Sequence, residues 1–317
     1  MKTTFSEDIR RAQKCENIGD PIDTYVFDYT GMVFSRLFIK LHVIPNVITV
    51  LSGIVGVAGG LLLCFDTLPL TILAAFLIFL ATTLDASDGQ VARLTKRYSN
   101  FGRTLDGAAD FAGYLALHAG LCVRLYHANI PFTETEWGYR IVLVAAAGIY
   151  FFLAQSRTVD YYKNLHIYML SRGERGEHTR SAEVTEQIKA SKKWSFDRLR
   201  LLIYREYTRV QEFETPKTQK LLDRIEENGN IITQQLSDAY YAKSRKYVRA
   251  TNILAYNLRM VVLFISLFLP GHMEYLYFAF VFLFIEAARI VIIVKYERLA
   301  ADLTKQQELF TELEAIS

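Results

Sequence analysis

The stretch YLYFAFVFLFIEAARIVIIV, residues 275–294, is apolar around its whole helical circumference, and so is LPLTILAAFLIFLATTL at 68–84. A helix of a soluble domain buries one face, whereas a helix apolar on every side needs apolar surroundings throughout. Six runs of this kind, roughly 43–64, 68–84, 106–126, 139–156, 252–270 and 273–294, come near the ~20 residues that cross a ~30 Å hydrocarbon core. The chain is therefore expected to be all-α, a polytopic membrane protein with six transmembrane helices. Its 51% hydrophobic and 13% aromatic content is rich for a soluble protein of 317 residues.

Loop charge orients these spans. FDTLP, between the first two runs, and PGHME, between the last two, contain no Lys or Arg. The loop after the second run carries Arg93, Lys96, Arg97 and Arg103, the connector 157–250 is crowded with cations, and the tail begins with Lys295 and Arg298. The N-terminal segment adds Lys2, Arg10, Arg11, Lys14, Arg36 and Lys40. By the positive-inside rule both termini, the second-to-third loop and the long connector are cytoplasmic. The acidic, aromatic loop ETEWGYR at 134–140 then falls on the far side.

The parts divide as follows: an N-terminal segment 1–42, four spans over 43–156, an insertion at 157–250, two spans over 251–295 and a tail at 296–317. The first forty residues are polar and charged, so no cleavable signal is expected. DTYVFDYTGMVFSRLFIKLH (23–42) alternates aromatics with Arg36 and Lys40, which suits a helix in the membrane surface or one packed on the cytoplasmic ends of the spans. In the insertion, Leu199, Leu202 and Ile203, then Leu221, Leu222 and Ile225, have helical spacing broken near Pro216, so a helical cytoplasmic subdomain is expected. Cys15, Cys64 and Cys122 show no metal-ligand spacing and exclude a disulfide framework. A formal charge of +3 gives no support to nucleic-acid binding, although the basic cytoplasmic face suits anionic lipids or phosphate substrates.

The chemistry lies in LDASDGQVARLTKRYSNFGRTLDGAAD, residues 84–110. Asp85 and Asp88 are three apart at the end of the second run; Asp106 and Asp110 are four apart at the start of the third. On helices each pair shares a face. Two antiparallel helices joined by a short cytoplasmic turn can aim the pairs at each other, and four hard oxygen donors suit Mg²⁺, Mn²⁺ or Ca²⁺. Two ions are within reach of such a set. Gly89, Ala92, Gly102, Gly107, Ala108 and Ala109 permit close approach, and with Arg93 they describe a place for a nucleoside diphosphate at the membrane surface.

Asp85-x-x-Asp88-Gly89-x-x-Ala92-Arg93, eight residues, Gly102-x-x-x-Asp106-x-x-x-Asp110 resembles the full signature of the CDP-alcohol phosphotransferase (CDP-alcohol phosphatidyltransferase) family, and Pro45, Asn46 and Thr49 resemble the opening of its first span. The resemblance implies a six-helix membrane fold, usually a homodimer, that transfers a phosphorylated alcohol from a CDP-linked donor to a hydroxyl acceptor and releases CMP. It implies Mg²⁺ or Mn²⁺, two per site, at Asp85, Asp88, Asp106 and Asp110. Asp110 would be the general base, Gly89, Ala92 and Gly102 would make room for the cytidine, and Arg93 would contact its phosphate.

The acceptor is less constrained. Arg157, Arg259 and Arg289 lie in or at the end of apolar runs, where an arginine needs a partner. They could hold a phosphate on the acceptor, or pair with Glu286 or Asp160. His118 reads as a hydrogen-bonded core residue. The basic mouth and Arg157 favour CDP-diacylglycerol as donor and an acceptor such as inositol phosphate or glycerol phosphate. Gly53 and the long insertion keep open a headgroup transferase using CDP-choline or CDP-ethanolamine and a lipid alcohol such as diacylglycerol. A six-span cation transporter fits poorly, because a pathway needs polar residues through the bilayer and these acids crowd one face.

Overall fold

The computed structural model describes residues 4–12, 19–174 and 179–316, so Lys2, Lys14 and Cys15 lie outside the described residues. The fold is helical: among the described residues the only β geometry is an isolated bridge between Asn129 and Glu136. Five stretches are long and apolar enough to cross a membrane: Pro45–Leu62, Leu68–Thr95, Arg140–Leu170, Gln234–Leu267 and Tyr275–Gln307. The expected third span lies in a helix of sufficient length, Asn100–Leu125, but that helix is not among the five. Asp106, Asp110, His118 and Arg124 account for its lower hydropathy.

The chain forms two compact units, the first made of Met1–Phe152 and Tyr256–Phe282, the second of Leu153–Ala255 and Leu283–Ser317. In the first, α1 (Phe5–Ala12) leads through a π turn at Asp23–Phe27 into α2 (Asp28–Lys40). Then come α3 (Pro45–Leu62), α4 (Leu68–Thr95) and α5 (Asn100–Leu125). Pro45 opens α3 at its first turn, where no intrahelical N–H is lost. Helix α4 stops at Lys96 in the left-handed conformation, and α5 restarts at Ser99, whose Oγ accepts the Gly102 N–H at 2.9 Å.

Helix α3 packs along both α4 and α5, and the crossing with α5 is lined by small residues. A Cβ placed on Gly53 would lie 2.9 Å from Ala109 Cβ, while one on Gly60 would overlap the backbone of Ala116 and Leu117. Helix α2 lies on α4: Gly31 sits against Ala86, and the buried Ser35 hydroxyl donates to Gln90 Oε1 at 2.8 Å. It also carries exposed Tyr29, Val33 and Leu37 at four-residue spacing, and Tyr25 of the preceding turn is exposed too. The segment thus packs one face on α4 and leaves an apolar face exposed. At the far end of α5, Arg124 is buried between Glu274 at 2.6 Å and Asp66 at 2.9 Å, partners that match the charge of a buried guanidinium.

Helix α6 (Arg140–Leu170) begins in the first unit and enters the second at Leu153, followed by α7 (Ser181–Ala190), α8 (Phe196–Glu214), α9 (Pro216–Glu227) and α10 (Gln234–Ala250). The chain then passes through α11 (Tyr256–Leu267) and α12 (Tyr275–Ala279), which belong to the first unit, to α13 (Glu286–Ile316). As the sequence predicts, Pro216 separates α8 from α9. Glu297 of α13 accepts the Lys217 and Thr218 N–H groups at 2.7 and 3.0 Å, so a carboxylate sits on the exposed donors of the α9 N-terminus. Leu221, Leu222 and Ile225 are buried, and Tyr162 stacks on Tyr296 with centroids 3.8 Å apart. Leu199 and Ile203 share the helical spacing but point outward.

Candidate active site

The ends of α4 and the start of α5 bring three carboxylates together. One oxygen from each of Asp85, Asp88 and Asp106 lies within 4.8 Å of the other two. Asp85 and Asp106 come close enough to share a hydrogen bond. Three like charges at this separation repel strongly, and a hard divalent cation with oxygen ligands relieves that repulsion. The donor set therefore fits a divalent metal. Asp110 follows Asp106 by one turn of α5 and is exposed.

The cluster is held from α3. The Thr49 hydroxyl donates to Asp88 Oδ2 at 2.5 Å and lies 3.2 Å from the Pro45 carbonyl. Asp88 is buried, and its Oδ2 is oriented by Thr49. Thr49 was visible as part of the Pro-Asn-x-x-Thr opening, but its contact with Asp88, 39 residues away, has no signature in local spacing. Thr49→Val keeps the volume and removes the donor. It is expected to reduce turnover about tenfold and to lower stability by about 1–3 kcal/mol, because the buried Asp88 carboxylate loses a hydrogen bond. Parallel kinetic and thermal-melting measurements test this.

Each flanking residue has a defined place. Arg93 Nε donates to the Ala12 carbonyl, and its guanidinium folds back over Gly89, where a Cβ would lie 3.1 Å from Nη1. A Cβ on Gly102 would lie 2.7 Å from Asn46 Oδ1, so Gly102 admits the start of α3 against the first turn of α5. Ala92 is half-buried on α4. Gly53 is accounted for by Ala109 and carries no information about the acceptor.

The three arginines divide between the two units. Arg259 is fully buried in the first unit, its guanidinium 4.9 Å from the Phe152 ring centroid. His118 is buried in the same unit, with Nδ1 2.9 Å from the Tyr114 carbonyl oxygen. In the second unit, Arg157 and Arg289 converge on Glu214 of α8, at 3.3 and 2.9 Å, and Arg289 also binds Glu286 at 2.6 Å. The Glu286–Arg289 pair was readable from its three-residue spacing. Asp160, the other expected partner of an arginine, accepts from the Tyr207 hydroxyl at 3.2 Å.

No curated protein and no solved structure matches this chain significantly. Residues 42–166 match the family model of the CDP-alcohol phosphatidyltransferases, a stretch that runs from the start of α3 into α6 and contains the whole aspartate constellation. Over residues 42–166, 125 of its 317, the chain is similar to the CDP-alcohol phosphatidyltransferases, and five of its helical stretches are long and apolar enough to cross a membrane.

Proposed function

We propose that this chain transfers a phosphorylated alcohol, as a phosphatidyl group from CDP-diacylglycerol, to a hydroxyl acceptor with release of CMP. The observation that carries the reading is the approach of Asp85, Asp88 and Asp106 to within 4.8 Å inside the segment matched by the family. Asp85, Asp88, Asp106 and Asp110 would hold Mg²⁺ or Mn²⁺, two ions per site. When bound, the ions neutralise the donor diphosphate and stabilise departing CMP. Asp110 accepts the proton of the acceptor hydroxyl as its oxygen attacks phosphorus and the bond to CMP breaks. Arg93, Gly89, Ala92 and Gly102 form the cradle of the CDP moiety.

In this reading α5 is the third of six spans, supported by its packing along α3, a helix apolar enough to cross the membrane. Both termini and the aspartates face the cytoplasm, and the working form is a homodimer. An acceptor carrying a phosphate, such as inositol phosphate or glycerol phosphate, would use Arg157, Arg259 or Arg289. A second reading has its own observation: Glu214 and Glu286 already match the charges of Arg157 and Arg289. That favours an uncharged acceptor, including a lipid alcohol paired with a CDP-choline or CDP-ethanolamine donor.

The test is CMP release from purified protein in detergent with Mg²⁺, offering CDP-diacylglycerol and the small CDP-alcohols in parallel with a panel of acceptors. CMP from CDP-diacylglycerol that depends on a soluble alcohol supports the first reading, and the stimulating acceptor decides whether it carries phosphate. CMP from the small CDP-alcohols alone supports the second. EDTA is expected to abolish release and added Mg²⁺ or Mn²⁺ to restore it; indifference to chelation would refute the metal site.

A further inference from the structure

Helix α8 of the insertion has an apolar face that nothing in its own unit covers. Leu199, Ile203, Val210 and Phe213 are 55%, 65%, 38% and 85% exposed, and Trp194, just ahead of the helix, is 100% exposed. At 100° per residue the four fall within an arc of roughly 80°. Glu206 shares the arc, its carboxylate held by Arg205 at 2.6 Å and Arg209 at 3.5 Å. Elsewhere on the helix Thr208 is buried, Glu212 accepts from Ser181 N at 2.7 Å, and Arg198 donates to the Ile188 carbonyl at 2.9 Å. These contacts fix α8 to α7 and hold the apolar stripe outward.

The height of α8 is set by its last residue. Glu214 binds Arg157, where the apolar stretch of α6 ends, and Arg289 within the apolar stretch of α13. Around those two arginines the same helices expose Leu153, Ile290 and Val294, surface that a membrane-spanning helix turns to lipid. Phe213 is therefore tethered where that lipid-facing surface meets water. Tyr207 bonds Asp160, so seven residues of α8, about 10.5 Å, accompany three residues of α6, about 4.5 Å. This oblique course keeps α8 near the boundary instead of carrying it away along α6. Exposed Lys192, Lys193 and Arg200 border the stripe, and cations with a Trp beside an apolar face are the composition of a helix lying in a lipid surface.

We propose that α8 lies in the membrane–water interface, with Trp194, Leu199, Ile203, Val210 and Phe213 in contact with lipid and the neighbouring cations toward anionic headgroups. The proposal rests on the membrane reading of α6 and α13 and is independent of the transferase reading. It makes the insertion a second point of attachment to the bilayer, continuous with the spans.

The experiment uses the full chain in vesicles of phosphatidylcholine with phosphatidylglycerol, with Cys15, Cys64 and Cys122 replaced by Ser and a nitroxide attached to Ile203→Cys, Val210→Cys, Phe213→Cys or Tyr204→Cys. Collisions with oxygen are expected to exceed those with a polar nickel chelate at 203, 210 and 213, and the reverse is expected at 204. Dominance of the nickel chelate at the three stripe positions would place the stripe in water and overturn the proposal. Low accessibility to both reagents would show the stripe covered by protein, a second copy or another partner, and would equally overturn it. Brominated lipid is expected to quench wild-type tryptophan emission by a larger fraction than that of Trp194→Phe, and equal quenching counts against the proposal. Neither readout depends on activity.

Discussion

Asp110→Asn is expected to lower CMP release by about 10²–10⁴-fold, the range for removal of a positioned general base. Asp106→Asn should be at least as severe, because Asp106 shares the three-carboxylate cluster with Asp85 and Asp88. The two variants separate by a second measurement. A ligand that binds only the folded state raises its stability by mass action, so Mg²⁺ should raise the melting temperature of wild-type protein. Asp106→Asn should lose most of that increment and Asp110→Asn should keep more of it, because Asp110 stands one turn away from the cluster. Without metal, Asp106→Asn should melt no lower than wild type, since it removes one of three like charges held within 4.8 Å. Wild-type turnover in either variant would refute the site assignment, and a large loss of metal-free stability would reassign the carboxylate to a structural role.

What the sequence could and could not disclose follows the range of the interactions involved. The apolar runs were legible because a bilayer demands ~20 apolar residues in succession, a local property. The paired aspartates were legible because three- and four-residue spacings define a helix face. The same rule reads Glu286 with Arg289. It cannot read Thr49 with Asp88 or Glu214 with Arg157, contacts spanning 39 and 57 residues. The arginines were recognised as needing partners, but α8 supplies one that no spacing argument contains. Amphipathic periodicity has a matching limit, since it marks a face without saying what covers it. Leu221, Leu222 and Ile225 go inward while Leu199 and Ile203 go outward under the same pattern. α5 shows the converse: Asp106 and Asp110, the carboxylates of the candidate site, lower its hydropathy together with His118 and Arg124.

Helix α3 packs along both α4 and α5 and so sets their register, and the glycines at its crossing with α5 give the largest expected effect on stability. A Cβ on Gly60 would occupy the backbone of Ala116 and Leu117, and one on Gly120 would meet the carbonyl oxygen of Gly60. Neither obstacle is a side chain that can change rotamer, so Gly60→Ala and Gly120→Ala must separate the helices. Overpacking of this kind costs about 1–3 kcal/mol, with larger losses where backbone is opposed. Gly107 provides an internal control on the same helix as Gly120: nothing lies within 4 Å of a Cβ placed there. Gly107→Ala should therefore be neutral or stabilise by up to about 1 kcal/mol through helix propensity. Gly56→Ala, with its nearest neighbour at 3.4 Å, should fall between them. Thermal unfolding in detergent, monitored by circular dichroism, orders the four variants. The two disruptive ones should also lose Mg²⁺-induced stabilisation, because displacing α5 carries Asp106 away from Asp85. Equal melting of Gly60→Ala and Gly107→Ala would mean that α3 and α5 do not meet at this crossing, and the carboxylate cluster would then need another element to align it.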